Sequence, residues 1–117
     1  VVCVVRTVCA PVCDSAVEFY DISWKRLKTA DYIACPPVDS FFRNPAQTDL
    51  PYQLLREKAD VDLIKASLSV ERAVIRFEYT TPDYLSEDDR EKIRPYLRKD
   101  PLVYSWTDGK FTPSEAG

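Results

Sequence analysis

Residues 49–79, DLPYQLLREKADVDLIKASLSVERAVIRFEY, decide how this chain is read. Asp49 suits an N-cap and Pro51 suits a first helical turn, where a missing N–H costs nothing. After Pro51 no Gly or Pro occurs until Pro82. Leu55, Ala59, Leu63, Ala66, Val70, Ala73 and Phe77 recur at steps of four and three, and at ~100° per residue they fall on one helix face. Leu54, Val61, Ile64, Leu68 and Ile75 fall nearly opposite. The spacing predicts one long helix over roughly residues 51–79, apolar on two sides.

A helix apolar on two sides has to be covered on two sides. Ala59, Ala66 and Ala73 recur every seven residues and allow close packing within the chain. That assigns Leu54, Val61, Ile64, Leu68 and Ile75 to contact with a different polypeptide. At about 25 cal/mol per Å² of apolar surface, leaving such a row in water costs as much as a small domain's stability.

The flanking segments read as helix, connector, short helix and tail. Residues 14–35 begin with Ser15 and Glu18 at capping-box spacing and stop at Pro36-Pro37. The connector 36–48 carries Phe41 and Phe42, whose side chains cannot share one face of an extended segment, so one of them is expected to dock elsewhere. Ser86 and Asp89 form a second capping pair, with acids at 87–89 in the first turn. Asp108-Gly109 is a two-residue hairpin signal between Tyr104, Trp106 and Phe111, three aromatics expected to meet a partner or the body. The expected fold is mainly α: an apolar N-terminal segment 1–13, a helical body 14–100 with a long two-faced central helix and a Pro-rich connector, and an extended aromatic tail 101–117.

The opening VVCVVRTVCAPVC is too short to cross a bilayer, which needs roughly 20 apolar residues, and it contains Arg6. Cys3 and Cys13 are separated by nine residues, a spacing that resembles one half of the CX9C pattern of small mitochondrial intermembrane-space proteins; no second CX9C follows. Cys3, Cys9, Cys13 and Cys35 are expected to be free, buried thiols among valines; one disulfide, with Cys35 as a partner, is the alternative. No CXXC pair and no histidine are present, which argues against structural zinc.

The absence of histidine also removes the commonest general base, and two glycines among 117 residues leave no phosphate cradle. A net charge of −3 offers no basic field for nucleic acid. No methionine occurs, even at position 1, which suggests a cleaved targeting segment and a mitochondrial location, with plastid or secreted alternatives. Phe19-Tyr20-Asp21 keeps only the tyrosine of the Leu-Tyr-Arg start of small helical respiratory accessory proteins, so no site is carried over from them. The functional expectation is a non-catalytic accessory subunit, without cofactor or metal, of a stable hetero-complex in an organellar membrane such as the respiratory chain or ATP synthase. Its expected contacts are Phe41, Phe42, Leu54, Val61, Ile64, Leu68, Ile75, Tyr104, Trp106 and Phe111. A secreted or lumenal disulfide-stabilised helical binding protein is the alternative.

Overall fold

Along residues 74–79 buried Ile75 and Phe77 alternate with exposed Arg76 and Glu78, and this period of two belongs to a sheet where a helix was expected. The computed structural model describes residues 1–10, 12–69 and 71–114. In chain order it contains β1 (Val2–Cys9), β2 (Cys13–Tyr20), two short 3-10 turns, α1 (Leu50–Lys58), β3 (Ile64–Leu68) and β4 (Val74–Tyr79). The single turn α2 (Thr81–Tyr84), α3 (Glu87–Ile93), β5 (Leu102–Thr107) and β6 (Lys110–Pro113) follow. β1 and β2 make a two-stranded antiparallel sheet, and β3-β4-β5-β6 make a four-stranded one.

The long helix over 51–79 is therefore corrected to a nine-residue helix and two strands. Helix α1 begins where its sequence suggests, with Pro51 in the first turn; Asp49 occupies the N-cap position, but its side chain accepts from Tyr96 instead of capping the helix. It ends at Lys58, before Asp60 and Asp62, residues with weak helix propensity. The hydroxyl of Thr81 then takes over: it donates to the Val61 carbonyl at 2.6 Å and accepts from the Leu63 N–H at 2.8 Å. Thr80 N–H closes the same join on the Leu63 carbonyl. In β3 and β4, Ile64, Ala66 and Leu68 pair with Tyr79, Phe77 and Ile75. The turn between these strands has neither Gly nor Pro; Ser69 Oγ accepts from the N–H groups of Glu71 and Arg72 instead. Val70, assigned above to the alanine stripe, lies outside the described residues, as do Pro11 and residues 115–117.

The helix over 14–35 is likewise corrected. Residues 13–20 form β2, and Ser15 and Glu18 are strand residues: Ser15 exchanges a hydroxyl hydrogen bond with Thr7, and Glu18 pairs with Arg6 and Arg26. The β1–β2 register sets Cys3 opposite Phe19 and Val5 opposite Val17, one apolar face that packs with the inner face of the larger sheet. This core joins Phe19, Ile33, Phe41, Ala66, Ile75, Phe77, Tyr104 and Phe111. A smaller core under the helices holds Phe42, Tyr52, Leu55, Ala59 and Ile93, and Tyr79 touches both. The two adjacent phenylalanines are thus both buried, each in a different core of the same chain.

Two local signals form as read. Ser86 Oγ accepts from Asp89 N–H at the start of α3. Asp108 and Gly109, at φ of 54° and 85°, make the two-residue turn between β5 and β6.

Candidate functional site

Helix α1 turns Tyr52, Leu55 and Ala59 into the smaller core and leaves Leu50 and Leu54 on its outer side. These two leucines lie one turn apart and are 64% and 49% exposed, an apolar pair left uncovered among the described residues. Beside them α1 and α3 enclose a groove of about 410 Å³. Pro51, Leu54, Leu55 and Tyr96 supply its apolar lining, and Lys58, Asp89 and Lys92 its charged rim.

The rim is neutralised from within. Lys58 Nζ donates to Asp89 Oδ1 at 3.1 Å, and Lys92 pairs with Asp88 at 2.9 Å. The hydrogen bond from Lys58 holds the Asp89 carboxyl below the usual carboxylate range, with Ser86 acting in the same direction. Asp88 raises the Lys92 ammonium. At the far edge Tyr96 donates to Asp49, and burial together with that carboxylate pushes the phenol up. Such a groove can accept an apolar side chain; it holds no nucleophile paired with a base.

Behind the groove Arg56 is set among aromatics. Its guanidinium lies 4.3 Å from the Phe42 ring centroid, donates to Tyr52 Oη at 2.6 Å and reaches Asp39 at 2.7 Å. Burial alone lowers its affinity for a proton, but Asp39 and Tyr52 outweigh this and raise it. The cluster ties the connector to α1. A second hollow, about 340 Å³, lies between Phe41, Arg76, Glu78, Tyr79 and the 97–101 loop. Its charges are of both signs.

The expected contact residues do not gather on one surface. Phe41, Phe42, Ile75, Tyr104 and Phe111 are buried in the two cores, while Ile64 and Trp106 are half-buried against the first. Leu54, Val61 and Leu68 are exposed, but only Leu54 lines the α1–α3 groove; Leu68 lies beside a hollow with Arg72, Val74 and Val103. Leu50 escaped the sequence reading because it precedes Pro51 at the helix start, outside the long apolar rows. Trp24 and Ile22 escaped because they were placed on a helix.

Among the cysteines, Cys9 and Cys13 form a disulfide that staples the turn end of the β1–β2 hairpin. Cys3 and Cys35 are free, as expected of all four, whereas Cys9 and Cys13 are bonded to each other; the alternative of a disulfide to Cys35 is also corrected. Burial pushes both free thiols up, and Cys3 is raised further by Cys35 nearby. Among the described residues no three His, Cys, Asp or Glu side chains converge to hold a metal ion. No described helix is long and apolar enough to cross a membrane.

These features define a small, mainly β domain with a disulfide-closed hairpin over an antiparallel sheet and an apolar groove on its helical side. The chain belongs to the DUF3256 family, described as a protein of unknown function, whose pattern it matches over residues 1–111. It is similar to the solved structure of a domain of an uncharacterized protein from Porphyromonas gingivalis W83, with a TM-score of 0.87 and 32% identity. The match covers 96% of this chain and 57% of that one, so the chain spans somewhat over half the length of that relative. No curated protein matches it. The helical, mitochondrial description is corrected by these findings: the fold is sheet-based, and the structural relative comes from a bacterium.

Proposed function

We propose that this chain is a non-catalytic binding domain that holds another protein segment in its α1–α3 groove, in an oxidising compartment outside the cytoplasm. The observation that carries the reading is the exposed pair Leu50 and Leu54 beside an apolar hollow. Because Lys58 and Lys92 are already paired, the groove offers little to a charged ligand; it suits an uncharged segment presenting a leucine-like or aromatic side chain. A polypeptide is favoured over a small metabolite because the exposed leucines extend the apolar surface beyond the hollow. The longer chain of the bacterial relative allows that segment to lie in the same polypeptide or in a second one. The Cys9–Cys13 bond supports the oxidising compartment, since such bonds persist outside the reducing cytoplasm.

A photo-crosslinking residue placed at position 54, in the protein expressed in its native host, tests this. The expected result is a single crosslinked peptide of apolar composition, identified by mass spectrometry and absent when the crosslinker replaces exposed Glu71 on the opposite hairpin. Leu50→Glu should remove the crosslink while leaving the fold intact, because its side chain is exposed. Crosslinking to nothing, or equally from both positions, would overturn the reading.

A further inference from the structure

The segment after β2, Asp21-Ile22-Ser23-Trp24-Lys25-Arg26-Leu27-Lys28, combines two exposed large apolar residues, Ile22 and Trp24, with three cations. Its turn is held from several sides. Asp21 N–H donates to the Lys25 carbonyl and Trp24 N–H to the Asp21 carbonyl, both at 3.0 Å. Asp21 Oδ1 accepts from the N–H groups of Ser23 and Lys25. The return strand is pinned by the Tyr20–Arg26 bridge and by Leu27 N–H on the Phe19 carbonyl.

This network keeps Trp24 at a φ of 64°, a left-handed conformation uncommon for a bulky residue. Such geometry persists only where the surroundings fix it, and here it goes with Ile22 88% and Trp24 67% exposed. Among the described residues, Tyr20 is the one aromatic ring beside the indole, with centroids 5.9 Å apart. The apolar pair thus projects from the body on a braced turn.

Charge around the turn is opposite in sign to that of the whole chain. Arg6 and Arg26 share the single buried carboxylate of Glu18 at 2.7 and 2.8 Å. Within residues 21–28 Lys25, Arg26 and Lys28 stand against Asp21, an excess of two positive charges on a chain of net charge −3. A projecting apolar tip with a cationic collar is complementary to an anionic headgroup layer over hydrocarbon. Indole rings settle at that interface, and Lys and Arg stay at headgroup level.

We infer that the Ile22–Trp24 turn is a peripheral membrane-binding tip, which inserts its two apolar side chains into the interface of a bilayer containing anionic phospholipid. No span is required. The inference is independent of the α1–α3 groove.

Co-sedimentation with phosphatidylcholine vesicles, with and without phosphatidylglycerol, tests it. The wild-type chain should sediment with the anionic vesicles and shift its tryptophan emission to the blue, and should bind pure phosphatidylcholine far less. The double variant Ile22→Ser/Trp24→Ser should lose binding, and Lys25→Gln or Lys28→Gln should each weaken it about fivefold, the value of one cation near such a surface. Far-UV circular dichroism checks that the variants fold, and Leu54→Glu should bind vesicles as wild type does, which separates this result from the fate of the groove. Absence of binding to anionic vesicles, or unchanged binding by the double serine variant, overturns the inference. So does self-association in light scattering that depends on Trp24 without vesicle binding, which would make the turn a protein contact.

Discussion

Thr81 holds Leu63 through a hydrogen bond from the Leu63 N–H to the Thr81 hydroxyl, at the point where the chain leaves α1 and enters β3. The same buried hydroxyl donates to Val61, so one side chain satisfies both main-chain groups of the join. Thr81→Val keeps the volume and leaves those two groups unpaired. It should lower unfolding free energy by about 1–3 kcal/mol in a urea titration, with the far-UV spectrum of the folded form unchanged. A loss within error would mean that water replaces the hydroxyl and that the join is not what ends the helix.

The cysteines can be counted by alkylation. Without reductant the denatured chain should gain two alkyl groups, at Cys3 and Cys35, and after reduction four. In the folded protein both free thiols should react more slowly than a model thiol near neutral pH, because desolvation raises them, and Cys3, the less exposed of the two, should be the slower. Replacing Cys9 and Cys13 by Ser should cost no more than about 2 kcal/mol, because the closed loop is very short.

Asp89 links acid stability to the groove rim. Its folded carboxyl lies below the ordinary value of 3.8, chiefly through Lys58, so the unfolded chain takes up the proton first. The stability it contributes is therefore present above that ordinary value and is lost as the pH falls through the lower folded value. Lys58→Gln should move the Asp89 titration upward in carboxyl NMR and flatten this part of the acid unfolding curve. An unmoved titration would show that the pair does not persist in solution.

Phe41 and Phe42 point into separate cores but both rest on Tyr79, with centroids 5.6 and 5.7 Å from its ring. Each Ala substitution should cost about 3–5 kcal/mol, the usual loss for a buried Phe. Through Tyr79 the double variant should depart from additivity by at least ~0.5 kcal/mol. Strict additivity in a double-mutant cycle would show that the two cores do not communicate.

What the sequence determined by itself is local. Asp49 and Pro51 mark the start of α1, Ser86 caps α3, and Asp108-Gly109 turns β5 into β6, because each signal acts within a few residues. The Phe41-Phe42 pair had to face two ways for the same reason. The strands at 64–79 were hidden by arithmetic: a step of four, as from Ile64 to Leu68, satisfies a period of two as well as one of 3.6. Their turn was hidden too, since Ser69 supplies by its hydroxyl the bend that Gly or Pro would have announced. Tertiary structure alone decided which period won, by pairing β4 with β5, residues 74–77 against 102–105, far apart in the chain. It also chose Cys13 for Cys9, through the hairpin register, and left Leu50 and Leu54 outside the core. Those outcomes depend on contacts between distant segments, and a local pattern carries no record of them.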